Sequence, residues 1–234
     1  MKVYTGVGSS TKTPESILEV MVRGGKMAAD LGYALRSGHA YRSDRAFEAG
    51  GQQSCRYYSL ENRIYLAWNG IGRDERVYHD PSKCLYDATC FESVYEVAKS
   101  LALQARGSFD NLGRGGIALH TRNAFQVMGD ALTEPSRFVL YYAWPYGNKG
   151  QVSGGTNTAI QIAKRFNIPT YNLFYEPVLD VLLRELEIHE RTSSRGDYSK
   201  AKRFIDPRDL CIPEPKRSTG EEEYQVPARL FLEE

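Results

Sequence analysis

This 234-residue chain has no long apolar run, no paired cysteines and no surplus of charge. Its longest apolar stretch, Phe138 to Trp144, is seven residues, whereas a membrane-spanning helix needs about 20. The opening MKVYTGVGSS lacks the apolar core of a signal peptide, so a cytoplasmic protein with no membrane partner is expected. Its four cysteines, Cys55, Cys84, Cys90 and Cys211, form no CxxC pair, and no histidines stand at metal-ligand spacing. Reduced thiols, no metal and no cofactor are therefore expected. Thirty basic against twenty-nine acidic residues give a net charge of +1, which argues against a dedicated duplex-DNA binder, since such proteins carry a basic surplus. A local basic pocket stays compatible with that balance. Nothing repeats at a fixed period, and no tract is of low complexity.

What is present suits a globular protein: 41% hydrophobic, 25% charged and 12% aromatic residues. The length predicts one compact domain with an elaboration. Lys2 to Val7 reads as a buried strand running into the turn Gly6-Val7-Gly8-Ser9-Ser10. Thr13 and Pro14 then read as an N-cap and a first helical residue. Ile17, Met21, Ala28 and Leu31 recur at helical spacing, with Gly24 placed to let that helix approach a sheet. Strands are expected at Tyr33–Arg36, Arg63–Trp68, Arg137–Trp144 and Thr170–Phe174. Helices are expected at Ser43–Glu48, Phe91–Ala105, Ile117–Met128 and from about Thr156 to Phe166.

Alternating strands and helices imply an α/β protein with a mainly parallel sheet covered on both faces. Residues 1–175 would form that domain. Residues 176–234 would add a helix over Val178–Leu186, a polar segment over Glu190–Tyr198, and a tail marked by Pro207, Pro213, Pro215 and Glu221-Glu222-Glu223. The tail reads either as solvated or as an arm clasping a second subunit.

Four polar segments fall at the carboxyl edge of this sheet, where ligands of such folds bind. Gly6 to Ser10, with Gly8, Ser9 and Ser10, lets backbone approach a phosphate ahead of a helix N-terminus. In Arg36 to Gly50, Ser37-Gly38 ends a strand, and Arg42, Ser43 and Asp44 open a helix. Arg42 there suits a phosphate and Asp44 a ribose hydroxyl, the alternative being an Asp44 cap with Arg42 in solvent. His120, Arg122, Asn123 and Gln126 interrupt an apolar helix, either as an exposed stripe or as readers of a base or ribose. Finally, Ser153, Gly154, Gly155, Thr156, Asn157 and Thr158 bring hydroxyls, an amide and backbone N–H groups to a helix start, as an anion-binding nest does. Together they describe a slot for a phosphorylated nucleoside. Trp68 or Tyr146 is positioned to stack on its base.

The segments YTGVGSS, RSGHAYRSDRAFEAG, LHTRN and SGGTNTAIQIAKRFNIPTYNL, in this order, resemble the SLOG superfamily. That family includes the DNA-processing protein A domain and the cytokinin-activating phosphoribohydrolases. The resemblance spans Met1 to Phe174 and is closest to small bacteriophage relatives of DNA-processing protein A, in which RN-x-x-Q-x-(L/M)-G precedes the glycine loop. It implies a Rossmann-like fold, a nucleotide-derived ligand at the sheet edge, and a homodimer or higher homo-oligomer. For a phage protein the compartment would be the host cytoplasm. The phosphoribohydrolase motif GGxGTxxE places Asn157 at its third glycine and Gln161 at its catalytic glutamate. A glutamine cannot act as a general acid or base at neutral pH.

The expectation is therefore binding without turnover: a sequestering protein that ties up an ADP-ribose-like or cyclic-nucleotide signal and so counters bacterial immune signalling. One alternative is an N-glycosidase in which Glu48 or Asp44 replaces the missing carboxylate. Another is a single-strand DNA mediator with a groove lined by Arg106, Arg114, Arg122, Tyr141, Tyr142, Trp144 and Tyr146, although Tyr141 and Tyr142 also read as part of a buried strand.

Overall fold

The computed structural model describes residues 2–72, 75–146 and 151–194. Its centre is a six-stranded parallel sheet. The chain runs β1 (Val3–Gly8), α1 (Glu15–Asp30), β2 (Ala34–Ser37), α2 (Ser43–Gly51), β3 (Arg63–Leu66), β4 (Leu85–Asp87), α3 (Glu92–Arg106) and α4 (Arg114–Met128). It continues through β5 (Val139–Tyr142), β6 (Pro145–Tyr146), β7 (Gln151–Val152), α5 (Gly154–Arg165), β8 (Thr170–Asn172) and α6 (Glu176–Ser194). The strand order is β4-β3-β2-β1-β5-β8, with β6 and β7 as a separate antiparallel hairpin. Helices cover both faces. This is a Rossmann-like α/β arrangement.

The apolar strands explain the layering. Along β5, Leu140 and Tyr142 join one core with Tyr4, Met21, Phe47, Phe138 and Leu182, beneath α1, α2 and α6. Val139 and Tyr141 point the other way, into a second core with Tyr65, Phe125, Ile160 and Ile162 beneath α3, α4 and α5. A strand buried on both faces has no polar alternation to show, hence its unbroken apolar run. Tyr141 and Tyr142 are both buried, so they line no groove. α6 belongs to the first core through Val178, Val181, Leu182 and Leu186.

Several expected boundaries shift for local reasons. α1 starts at Glu15, with Pro14 preceding it and no side-chain cap. The Thr13 hydroxyl instead lies 2.7 Å from that of Ser43, and both are 3.0 Å from the Ser9 carbonyl. Gly24 faces Leu182 of α6 at ordinary contact distance rather than the sheet, whereas a Cβ on its neighbour Gly25 would overlap the Phe47 carbonyl of α2. β5 and β8 stop early because the Asn172 side chain takes the next backbone groups: Ala143 N–H donates to Oδ1 at 3.1 Å and Nδ2 donates to the Ala143 carbonyl at 2.9 Å. β3 ends at Leu66, leaving Trp68 in the following turn. α5 opens at Gly154, two residues before the expected start at Thr156, with Gly154 at φ +75°, a left-handed conformation that favours glycine.

The polar stretch after Leu186 continues α6 as far as Ser194. Arg23 of α1 meets Glu190 at 2.7 Å, and His189 meets Asp30 at 3.0 Å, which fastens that turn to α1. The expected tail, with Cys211, lies outside the described residues, as does the end of the segment expected to reach Tyr198. Cys55, Cys84 and Cys90 are free thiols. Among the described residues no helix is long and apolar enough to cross a membrane.

Candidate functional site

In the strand order, β1 leads toward β2, β3 and β4 on one side, while β5 and β8 lie on the other. The order reverses between β1 and β5, and such a switch point opens a crevice beyond the strand ends. A cavity of about 370 Å³ occupies that place, within the range of small-molecule sites and near its lower end. One wall is the β1–α1 loop, from Gly8 to Thr11. Another is the start of α5, from Ser153 to Thr156. Ala40 and Asp44 close one side, and Gly116, Leu119, His120, Arg122, Asn123 and Gln126 of α4 line the rest.

The two walls are held by backbone. Ser9 N–H donates to the Tyr142 carbonyl at 2.9 Å, which pins the loop to the end of β5. Ser9 Oγ in turn accepts from Lys12 N–H at 3.0 Å. No side chain caps α5, so its first N–H groups and the positive end of its dipole face the crevice side. Asn123 Nδ2 donates to the Gly155 carbonyl at 2.9 Å, fixing α4 against that helix start.

The deep side is charged and closed to solvent. Arg122 is 6% exposed, and its Nη1 donates to the carbonyls of Gly38 and, at 3.3 Å, Tyr65. Its Nε keeps no partner, nor do either of the carboxamide atoms of Gln126, which is 1% exposed. Buried polar groups are nearly always paired, so three orphaned atoms beside one cavity mark a place built for further hydrogen bonds.

Asp44 is 2% exposed. Its carboxyl accepts from Ala40 N–H at 3.4 Å and from the Gly8 backbone. Burial pushes its pKa up to about 7; Arg122 pulls against that rise and Glu48 adds to it. Burial likewise lowers the pKa of Arg122, with Asp44 and Glu48 opposing. Glu48, one turn along α2, accepts from His39 N–H at 3.0 Å and lies 2.6 Å from His39 Nδ1. Burial, then Arg106 and Arg122, hold the His120 pKa below its usual range, so the ring is neutral at pH 7 while its Nδ1 lies 2.7 Å from the Thr158 hydroxyl.

Of the residues expected at the site, Gly8, Ser9, Ser10, Asp44, Arg122, Asn123, Gln126, Ser153, Gly154, Gly155 and Thr156 meet in this one cavity. Ser37, Gly38, Arg42, Ser43, Trp68, Asn157 and Thr158 lie outside its lining. Ser37 donates to the Gly6 carbonyl at 2.7 Å. Arg42 reaches away to the Thr13 carbonyl at 2.6 Å and Glu15 at 2.7 Å. Trp68 packs on Gly115, and Asn157 accepts from Gln161 at 3.3 Å. Tyr146 is exposed on the β6–β7 hairpin. Thr11 and Ala40 line the cavity without a sequence signal, because each enters through the path of a loop. Among the described residues no cluster of His, Cys, Asp or Glu is arranged to hold a metal ion.

Comparison of the chain with family models, with curated proteins and with solved structures finds no match.

Proposed function

We propose that this protein binds a nucleotide-derived small molecule in the crevice between β1 and β5 without turning it over. The observation that carries the reading is one cavity joining an uncapped helix start and a glycine loop to a buried guanidinium and an orphaned carboxamide. The α5 start and the Gly8–Thr11 loop hold phosphate. Asn123 and Gln126 hydrogen-bond a ribose or a base edge, and Arg122 fixes their surroundings. The sequence resemblance supports a SLOG-type relative of the phage kind, acting in the host cytoplasm as a homo-oligomer to sequester an ADP-ribose-like or cyclic-nucleotide signal. Gln161 in place of a catalytic glutamate supports capture over cleavage.

A second reading has one observation in its favour. Asp44 is a buried carboxyl in the cavity whose pKa lies near neutrality, as a general acid requires. It would protonate the departing base while water adds to the sugar carbon. Glu48, held by His39, is the poorer candidate for that role.

Both are tested by titrating the protein with AMP, NAD, ADP-ribose and cyclic ADP-ribose in a calorimeter, then chromatographing each mixture. Binding with every ligand recovered intact supports sequestration. A released base that disappears in Asp44→Asn establishes cleavage. Unchanged affinity in Arg122→Ala overturns the assigned site.

A further inference from the structure

The lining of the cavity holds little positive charge for a phosphate to meet. Among the described residues lining it, Arg122 is the one fixed cation, since His120 is neutral at pH 7. Against it stands one carboxyl in the lining, Asp44 of α2, while Glu48 is a second buried carboxyl on that helix outside the lining. Asp44 and Glu48 lie four residues apart, hence on one face of the helix, at 2% and 5% exposure. Arg122 is already committed to the carbonyls of Gly38 and Tyr65 through Nη1. Glu48 is turned to His39, so Asp44 is the carboxyl that lines the cavity. The groups facing Asp44 are Arg122 from α4, Glu48 from its own helix, and the backbone of Ala40 and Gly8 from the adjoining loops. Arg42, the nearest cation in sequence, faces Thr13 and Glu15 instead.

An anion entering this cavity would meet an ionised Asp44 with too little positive charge to offset both. In a medium that screens poorly, such a like-charge contact is strongly unfavourable. We propose that Asp44 selects the charge of the ligand: it admits a phosphate-bearing molecule only when its carboxyl carries a proton, so that capture takes up one proton from solvent. The protonated Asp44 then donates a hydrogen bond where the carboxylate could only accept. This inference rests on the nucleotide-binding reading and deepens it. The neutral form of Asp44 is accessible near physiological pH, since burial pushes its pKa to about 7. Capture is therefore tightest in mildly acidic solution and weakens as the pH rises.

The test is calorimetric titration of the whole protein with ADP-ribose from pH 5.5 to 8.5, repeated in two buffers of different ionisation enthalpy. ADP-ribose keeps a constant charge over that range, so any slope belongs to the protein. Above neutrality the affinity should fall by about tenfold per pH unit, the signature of one linked proton, and the observed heat should shift with the buffer. Asp44→Asn should bind with an affinity independent of pH. The slope and the buffer effect are read on the native protein, so the proposal stays open to refutation even if the variant fails to fold. Binding with a flat profile overturns the proton linkage while leaving nucleotide binding intact. A slope that survives in Asp44→Asn also overturns it, placing the proton elsewhere. No binding at any pH overturns both readings together.

Discussion

The guanidinium of Arg122 donates to the Gly38 carbonyl, and the missing side chain at Gly38 is what permits it. A Cβ at that position would overlap both Arg122 and the Gln126 carboxamide. The strand end at Ser37-Gly38 thus shapes the cavity from behind, without lining it.

Gly38→Ala should therefore loosen the site as well as the fold. Overpacking of a tight interior costs about 1–3 kcal/mol, to be read from urea denaturation. ADP-ribose affinity should fall by about tenfold or more, because Arg122 and Gln126 must both move.

The stability of the protein should also report on Asp44. Its pKa is raised from 3.8 to about 7 by burial, so its contribution is fully present below pH 3.8 and is lost as the pH rises toward 7. At about 1.4 kcal/mol per pH unit, the loss amounts to a few kcal/mol. Asp44→Asn should lose this part of the pH dependence, and its advantage over the native protein should grow from pH 4 to pH 7 and then level off. Melting temperatures across that range give the answer.

At the acid end, Asp30 behaves in the opposite sense. Burial alone would raise its pKa, but hydrogen bonds from Lys26, Ser54 and His189 more than offset this and hold it below its usual value. Its contribution is present above that usual value and is lost as the pH falls through the lowered one. Asp30→Asn should detach the end of α6, with faster amide exchange from Ile188 to Thr192 and little change in the sheet. The exposed Arg23–Glu190 pair beside it should contribute less than about 1 kcal/mol, measured by Arg23→Ala.

The seam between α1 and α2 offers a harsher test. A Cβ on Gly25 would overlap the Phe47 carbonyl, and one on Gly50 would overlap the Val22 carbonyl. Backbone cannot yield as a side-chain tip does, so Gly50→Ala should destabilise by more than about 3 kcal/mol. A small fall in melting temperature would mean that the helices are spaced more widely.

Much of this architecture is legible in the residues themselves. The doubly buried run at Phe138 to Ala143, the helical spacing of Ile17, Met21 and Ala28, and the two glycines that open α5 each carry a local physical signal. What escapes is short or distant. β4 spans three residues, and β6 and β7 two each, too few for any period to show. Arg42 suits a phosphate by type, yet it sits at φ +69° and turns toward Thr13, a direction that no spacing rule conveys. His120 looks like a polar interruption until Thr158, thirty-eight residues later, supplies its partner. Asp44 gains its proton affinity from burial between three separate segments, which is a property of the assembled fold.

The measurement that bears most directly on the central claim is native mass spectrometry of the protein as purified from cells, followed by denaturation and mass analysis of whatever is released. A nucleotide-derived molecule recovered intact at one per chain is the predicted result. A cavity that arrives empty and gives no thermal shift with AMP, NAD, ADP-ribose or cyclic ADP-ribose at pH 6 would contradict it.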